Sequence, residues 1–319
     1  YFYEQWSGQK QRGVVAIIGD HGSGKSTLIT KLKSKWSPLN TIQVLTFHKR
    51  CTQIQDVQQM IIQQFGLKAT DTKSIITELR EQPTKLIFVD DFHRCMLRDV
   101  GGYDAIQELL AIMQATSHKH FWVASFHLHA WIFLYSASTP VNLDVFAKTV
   151  FIKPLDVSQV KEWIIERCSL LDITLDFSQI TPISNEESLH RAKLLFWRLL
   201  TDVSKGNPCV VEQFWKSSLR KGEGNEVKVV LFSVPDEEVL ENLPDTESFI
   251  LAYLLIHNEV SLSSLQRSLH VRLPILRQAV RNLYGLGLIE KNQEEYSVDD
   301  WWWPVVERFL VNKRMIYME

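Results

Sequence analysis

Short runs of apolar residues alternate with amphipathic segments along the first half of the chain. The runs are strand-like and lie at Gly13–Ile18, Ile42–Phe47, Leu86–Val89, Phe121–Ser125 and Thr149–Ile152. Between them, apolar residues recur at helical spacing, as in Val57–Phe65, Ser74–Arg80 and Tyr103–Gln114. This alternation predicts an α/β fold, in which helices cover both faces of a parallel sheet. Ligands of such open sheets bind at the carboxyl ends of the strands.

The second half of the chain has a mostly helical pattern. A helix is predicted from Val157 to about Leu171, the pattern stays helical to about Ser218, and a short strand is expected at Val227–Phe232. The last part predicts three helices, a β-hairpin and a closing helix, at Phe249–His257, Ser261–Leu269, Leu273–Tyr284, Gly285–Val298 and Val305–Val311. That order is typical of a winged helix. We therefore expect a parallel-sheet core over residues 1–154, a small helical lid over 155–226 and a winged-helix domain over 227–319.

The turn that follows the first strand carries the clearest chemical signal. Its residues fit the pattern G-x-x-x-x-G-K-[ST] of a phosphate-binding loop and are Gly19, Asp20, His21, Gly22, Ser23, Gly24, Lys25, Ser26 and Thr27. The glycines allow successive backbone N–H groups to turn toward the phosphates, and the following helix presents its positive end. Lys25 is expected to reach the β- and γ-phosphates of a nucleotide, and the Ser26 hydroxyl to ligate Mg²⁺.

A second element closes the predicted site. The apolar strand at residues 85–89 ends in two carboxylates, Asp90 and Asp91. Asp90 can hold Mg²⁺, and Asp91 lies where a residue could orient or deprotonate the attacking water. Paired acids after a strand also occur as helix N-caps, so it is the phosphate loop upstream that gives them this interpretation.

The overall composition limits the other classes of function. The chain has 319 residues, 45% hydrophobic and 23% charged, with a net charge of −2, so nothing attracts it globally to nucleic acid or to an acidic membrane. Its four cysteines are far apart, which indicates neither a zinc site nor a disulfide framework and suits a reducing cytoplasm. The histidines lack the helical spacing of a zincin, so no histidine-bound metal is expected.

The ends and the apolar window lead to two further expectations. The most apolar window, Phe121 to Ser138, is interrupted by His127 and His129, so no transmembrane segment is expected. The chain begins at Tyr1 without a methionine, so we expect it to be a fragment or an internally numbered piece.

Together, the phosphate loop, the paired acids and the predicted lid and winged helix resemble the AAA+ and STAND branch of P-loop ATPases. The resemblance implies ATP and Mg²⁺ as cofactors. It also implies that the strand Phe121–Ala124 ends in a polar residue that touches the γ-phosphate and so takes part in catalysis with Lys25 and Asp91. Ser125 is the best match and His127 the second, with the alternative that Ser125 merely caps the strand.

Three departures from the AAA+ pattern favour a slow switch over a fast ring-type motor. The stretch before the last core strand holds Lys148 where an arginine finger is usual, and lysine lacks the planar guanidinium fork. In the lid, Gly206–Val211 resembles the G-x-P of STAND proteins, in which the proline packs on the adenine, although Pro208 also suits the first turn of any helix. The pair Asp90-Asp91 stands where Asp-Glu is more usual.

The predicted winged helix could contact DNA or protein. Arg277 and Arg281 lie four residues apart on the candidate recognition helix, with Arg272 at its start. Nine acids against eight bases from residue 247 onward argue against a phosphate-binding surface. Five of these acids, expected to face a DNA backbone, are Glu290, Glu294, Glu295, Asp299 and Asp300. The three indoles before Pro304 are expected to pin the closing helix to the hairpin or, alternatively, to contact a partner protein.

These features predict a nucleotide-controlled switch. We expect a slow, Mg²⁺-dependent ATPase whose nucleotide state controls self-assembly as a homo-oligomer or the binding of a partner protein. Two alternatives stay open: a DNA-associated AAA+ loader or transposition-type adaptor, and a scaffold that binds ATP without hydrolysing it.

Overall fold

The strands of the first half form one parallel sheet. The computed structural model describes residues 3, 6, 12–36, 41–47, 49–136, 139–181 and 185–317. The strands are β1 (Val14–Gly19), β2 (Thr41–Thr46), β3 (Lys85–Asp90), β4 (Phe121–His127) and β5 (Lys148–Phe151). They pair in parallel in the order β2-β3-β4-β1-β5. Every residue of β1 and β4 is buried, as expected for central strands covered on both faces. The predicted α/β fold class is confirmed.

Among the described residues, five α-helices accompany these strands. They are α1 (Lys25–Trp36), α2 (Ile54–Phe65), α3 (Thr72–Glu81), α4 (Asp104–Thr116) and α5 (Leu128–Ser136). Alternate residues of β1 face opposite layers, because successive side chains of a strand point to opposite faces. Val15 and Ile17 pack in a small cluster with Ile29 of α1, whereas Ala16 and Ile18 belong to the large cluster that includes α2, α3 and α4.

The ends of these helices follow local rules. Helix α2 stops at Gly66, which has a left-handed backbone with φ 64°. Helix α3 begins after Asp71, whose carboxylate accepts the Ser74 N–H in a capping box. The strand predicted at Phe121–Ser125 is present as β4 and extends to His127, and the rest of the apolar window forms α5, most of which is buried. A buried helix and a buried strand share the same uninterrupted apolar pattern.

A middle region follows the core sheet. Its elements are α6 (Val157–Leu170), β6 (Thr174–Asp176), α7 (Glu186–Ser204), α8 (Pro208–Ser217), β7 (Leu219–Lys221) and β8 (Glu226–Val229). The expectation of an all-helical segment up to Ser218 is wrong at β6, which pairs in parallel with β8. Strand β8 also pairs antiparallel with β7. We call residues 155–229 the lid region, because β8 is part of this small sheet.

The remaining residues form a C-terminal region over residues 230–317. It contains α9 (Glu238–Glu241), α10 (Asp245–His257), β9 (Val260–Ser261), α11 (Leu262–Leu269), α12 (Leu273–Gly285), β10 (Ile289–Asn292), β11 (Glu295–Val298) and α13 (Trp303–Asn312). The strands form an antiparallel sheet in the order β10-β11-β9. Helix α10 is buried along most of its length and contacts α5, so this region is docked on the core. In the described part of the chain, no helix combines the length and apolarity that a membrane crossing requires.

Candidate functional site

The phosphate loop connects β1 to α1 at the carboxyl edge of the sheet. Lys25, the first residue of α1, is buried, and its Nζ donates to the carbonyl oxygens of Gly19 at 3.0 Å and Asp20 at 2.6 Å. Burial lowers the pKa of Lys25, although the nearby carboxylates of Asp91, Asp20 and Asp90 act in the opposite direction. The amino group is therefore held inside the loop by backbone oxygens.

The loop leaves room for an anion. Gly24 has φ 91°, and a Cβ added there would meet no atom within 4 Å, so the space above it is open. The Ser23 hydroxyl is buried and has no hydrogen-bond partner among the described residues. An open cradle at a helix N-terminus, a buried amino group and an unsatisfied hydroxyl together suit the phosphates of a nucleotide. Ser26 and Thr27 are exposed and also line this space.

The paired acids lie at the end of β3, the strand next to β4. The Asp90 carboxylate accepts a hydrogen bond from the Ser125 hydroxyl at 2.6 Å, and the same hydroxyl accepts the Asp91 N–H at 2.8 Å. Asp91 has a left-handed backbone with φ 53°, which directs its carboxylate toward the open space. Burial and the charge of Asp90 raise the pKa of Asp91, while Arg94 and Lys25 act against that rise. A raised pKa suits a carboxylate that accepts a proton.

The two candidates for the γ-phosphate contact occupy different places. Ser125 is fully buried and its hydroxyl is engaged with Asp90 and Asp91, so it orients the acids rather than lining the open space. His127, at the end of β4, does line that space. Its backbone N–H lies 3.4 Å from Nδ1 of His93, whose Nε2 is buried and without a hydrogen-bond partner in the described ranges.

The open space is a cavity of about 760 Å³ between all three regions. A volume of this size is in the range of small-molecule and cofactor sites. The core contributes most of its wall, and the lid and C-terminal regions contribute the rest. The lining residues outside the core are Trp163, Arg167, Pro208, Cys209, Glu212, Asn258 and Glu259.

The lid region is held tightly against the phosphate loop. Pro208 is the first residue of α8 and lines the cavity, so both predicted interpretations of this proline are compatible with its position. The Asn207 amide donates to the His21 carbonyl oxygen at 2.5 Å, and Gly22 packs against Cys209. A Cβ at Gly22 would lie 2.2 Å from Cys209 Cβ, so no larger residue fits there.

Two side chains of α6 offer a second kind of surface. The Arg167 guanidinium lies 4.1 Å from the centroid of the Trp163 ring, and both residues line the cavity. Arg167 also forms an ion pair with Glu212 at 3.4 Å. A flat indole and guanidinium beside a phosphate site suit contact with a nucleotide base.

The C-terminal region contacts the loop and the acids through charged side chains. Arg94, three residues after Asp91, forms ion pairs with Glu259 and with Glu295, the latter at 3.0 Å. His21 Nε2, in the phosphate loop, lies 3.1 Å from Asp300 Oδ1. These contacts were missed by sequence reasoning, which treated Glu295 and Asp300 as acids facing outward. That expectation is wrong for both residues, because the region is docked with them turned toward the core.

The tryptophans before Pro304 contact more than the hairpin. Trp303 is buried and stacks on His21 with ring centroids 5.1 Å apart, and it meets His127 edge-on. Trp301 lies 4.6 Å from the Phe214 ring of the lid region. The closing helix is therefore pinned to the phosphate loop and to the lid, and its first residue is a tryptophan rather than Val305.

Within the described ranges, no cluster of three or more histidine, cysteine, aspartate or glutamate side chains is arranged to hold a metal ion by itself. Burial holds the pKa values of His93 and His127 well below the ordinary range, so both rings are neutral near pH 7. The oxygen donors that suit Mg²⁺ are the Ser26 hydroxyl and the Asp90 carboxylate, which would share the ion with nucleotide phosphates.

Comparison with known proteins covers part of the chain by sequence. Residues 8–126 match a family model described as an AAA domain. No curated protein matches the chain. The chain is similar to the structure of the ORC2 protein of Aeropyrum pernix in ADPNP and ADP complexes, at 13% identity and a TM-score of 0.43, over 98% of this chain and 92% of that one.

Two further solved structures are similar over most of the chain. Cdc6p of Pyrobaculum aerophilum is 15% identical, with a TM-score of 0.40 over 94% of this chain and 88% of that one. The RuvB Holliday junction branch migration motor of Thermotoga maritima is 14% identical, with a TM-score of 0.40 over 98% and 90% of the two chains. The parallel sheet with its phosphate loop after β1 gives the protein the α/β fold of a P-loop NTPase, and residues 8–126 of it match an AAA domain.

Proposed function

We propose that this protein is a slow, Mg²⁺-dependent ATPase of the AAA+/STAND type, in which bound nucleotide controls the arrangement of the three regions. The observation that carries the proposal is the cavity itself, since its wall combines the phosphate loop with residues of the lid and of the C-terminal region. A ligand that fills such a cavity contacts all three regions at once. Its affinity therefore depends on how they are arranged, and the arrangement depends on the ligand.

The residues of the core have separate roles in this proposal. The loop amides and Lys25 bind the phosphates, Ser26 and Asp90 hold the metal, and Asp91 orients or deprotonates water. Mg²⁺, when bound, neutralises charge on the phosphate oxygens. Ser125 acts through the acids, because its hydroxyl donates to the Asp90 carboxylate and accepts the backbone N–H of Asp91.

The residue at the start of the last core strand supports slow turnover. Lys148 is exposed at the start of the edge strand β5 and is a weaker candidate than arginine for stabilising transition-state charge. The same strand exposes the apolar residues Val150 and Phe151. An open sheet edge with apolar side chains is a surface on which copies of a protein can associate, which supports self-assembly as the output of the switch.

The test begins with binding. Calorimetry with Mg·ATP and Mg·ADP should detect one site. Lys25→Ala should lower the affinity by about 10- to 100-fold, because a charge-assisted hydrogen bond to the phosphates is lost. Single-turnover phosphate release should fall by about 10²- to 10⁴-fold in Asp91→Asn while binding is kept. Equal phosphate release in wild type and Asp91→Asn would support the non-hydrolysing scaffold.

Particle mass measures the switch itself. We expect the mass in solution to differ between ADP and a non-hydrolysable ATP analogue, with or without a partner protein. A monomer in both conditions would argue against control of self-assembly and leave partner binding as the output to be measured.

A DNA-associated function is the second candidate, and one observation favours it. Arg277 and Arg281 are exposed on α12, while acids of the same region are turned inward and paired. The inward acids are Glu247, Glu259, Glu295, Asp300 and Glu307. The solvent-facing side of the C-terminal region is therefore more basic than the count of acids and bases from residue 247 onward indicates. Salt-dependent duplex binding that is lost in the double variant Arg277→Ala, Arg281→Ala would favour this function; its absence would favour the switch.

A further inference from the structure

One cation lies between the predicted water-activating acid and the C-terminal region. The Arg94 side chain is only 10% exposed. Its Nη2 is paired with Glu259, its Nη1 lies 3.0 Å from Glu295 Oε2, and its Nε lies 3.9 Å from Asp91 Oδ2. Burial lowers the pKa of Arg94, but the carboxylates of Glu259, Glu295 and Asp91 outweigh that effect and raise it overall. The guanidinium is the shared counter-charge of three carboxylates.

The backbone of Arg94 is held by hydrogen bonds, and the residue lines the cavity. Its N–H donates to the Asp91 carbonyl oxygen at 2.9 Å, and its own carbonyl oxygen accepts the Cys51 N–H at 3.0 Å. The side chain lines the phosphate cavity, and so does Glu259. Arg94 can therefore exchange partners without unfolding the turn that follows β3.

We propose that Arg94 couples the terminal phosphate of the nucleotide to the docking of the C-terminal region. This inference rests on the proposed function. Without a third phosphate, the guanidinium stays on Glu259 and Glu295 and holds the region against the core. A terminal phosphate competes for the guanidinium, which suits bidentate phosphate recognition, and repels the Glu259 carboxylate. Glu259 and Glu295 then lose their cation and the docked arrangement is weakened.

The coupling must act in both directions. If the terminal phosphate weakens docking through Arg94, then weakening the hold of the two glutamates on Arg94 must strengthen the binding of a triphosphate. The binding of the diphosphate, which lacks the competing terminal phosphate, should be unaffected. This asymmetry distinguishes a coupling residue from one that only stabilises the fold.

The experiment measures dissociation constants for Mg·ADP and for Mg²⁺ with adenylyl imidodiphosphate, in the full chain. The double variant Glu259→Gln, Glu295→Gln should bind the imidodiphosphate about tenfold more tightly, while its affinity for ADP is unchanged. Arg94→Gln should bring the dissociation constants of the two nucleotides closer together. Hydrogen exchange at residues 257–261 gives a second readout. The imidodiphosphate should speed exchange there in wild type relative to ADP, and Arg94→Gln should remove that difference.

The matched control is an ion pair between the same two regions away from the cavity. Arg267 lies 2.7 Å from Asp99 and lines no part of the phosphate site, so Arg267→Gln should loosen docking equally with both nucleotides. The inference is overturned if the double glutamine variant leaves the ratio of the two dissociation constants at the wild-type value, even if Arg94→Gln fails to fold. If wild type binds neither nucleotide, the proposed function falls and this inference with it. If binding depends on Lys25 while the ratio is constant in all variants, only the inference falls.

Discussion

The cavity wall formed by residues 19–27 is held together by backbone groups, whereas the facing wall from the C-terminal region is held by charged side chains. In the first wall, Lys25 is bound by carbonyl oxygens of its own loop. Around the second wall, the ion pairs of Arg94, Asp300 and Glu307 each join two regions of the chain. Backbone geometry is insensitive to what occupies the cavity, but ion pairs exchange partners when a new charge arrives. In the proposed switch, the second wall is therefore the part expected to change when a nucleotide binds.

The close packing of the phosphate loop on the lid region predicts the largest effect of a substitution on stability. Gly22→Ala combines a left-handed backbone, φ 67°, with a clash against Cys209, and should destabilise the fold by about 3 kcal/mol or more. Gly24→Ala has open space around it and should cost only the backbone strain, about 1–2 kcal/mol. Chemical denaturation measures both. Adding Cys209→Gly to Gly22→Ala removes the clashing Cβ and should recover part of the loss; no recovery would mean that the two regions are not in close contact.

The C-terminal region also has a buried anchor away from the cavity, at Glu307. Its carboxylate lies 2.9 Å from His129 Nε2 and 2.5 Å from Lys205 Nζ, joining α13 to the core and to the lid. Burial would raise the pKa of Glu307, but these two partners outweigh burial and lower it to about 2. Glu307→Gln should destabilise the fold by about 2–3 kcal/mol.

The pH dependence of the stabilisation by Glu307 follows from the direction of its pKa shift. Because the folded pKa lies below the ordinary value of 4.5, the stabilisation is fully present above that pH and is lost as the pH falls toward 2. Between pH 5 and 2.5, the free energy of unfolding should fall more steeply with pH in wild type than in Glu307→Gln. Parallel curves would show that the ion pairs do not contribute.

The aromatic side of the cavity should affect binding rather than stability. If the indole stacks on the base, Trp163→Ala should weaken the binding of ADP and of ATP equally, by about 1–2 kcal/mol of binding free energy. Trp163→Phe keeps an aromatic face and should retain most of the affinity. Calorimetry measures both variants. A change confined to ATP would place Trp163 near the phosphates instead.

The smallest effect is expected at the ion pair between His21 and Asp300. Burial lowers the pKa of His21, but the hydrogen bond and charge of Asp300 outweigh it and raise the pKa above 6.5. The stabilisation is therefore fully present below pH 6.5 and is lost as the pH rises through the folded value. His21→Gln should remove this pH dependence. We expect the change in the free energy of unfolding across the titration to be below about 1 kcal/mol.

Thermal midpoints between pH 6 and 8.5 test this prediction. Asp300→Asn should flatten the same part of the profile, because it removes the other member of the pair. His93, His127 and His257 have pKa values lowered well below 6.5 by burial, so they do not titrate in that window. A wild-type profile that is already flat would contradict the pairing.

Much of the core could be predicted from the sequence alone, because its signals are local. A run of apolar residues predicts a buried strand, and the glycines and lysine of residues 19–27 are contiguous, so their geometry follows from a few backbone angles. The five core strands were located this way, and their predicted ends agree with the structure to within about one residue, except that β4 extends to His127. Asp90 and Asp91 were predicted to stand at the sheet edge for the same reason.

Only the tertiary structure decided what faces the phosphate loop. Arg94 and Glu259 are 165 residues apart, and no pattern in either segment indicates that they meet. A charge count treats every acid as exposed, so it could not separate Glu295 and Asp300, which are turned inward, from Glu294, which is exposed. Local strain, hydrogen bonding and apolar spacing are encoded in neighbouring residues, whereas the partner of a charge depends on how whole regions pack.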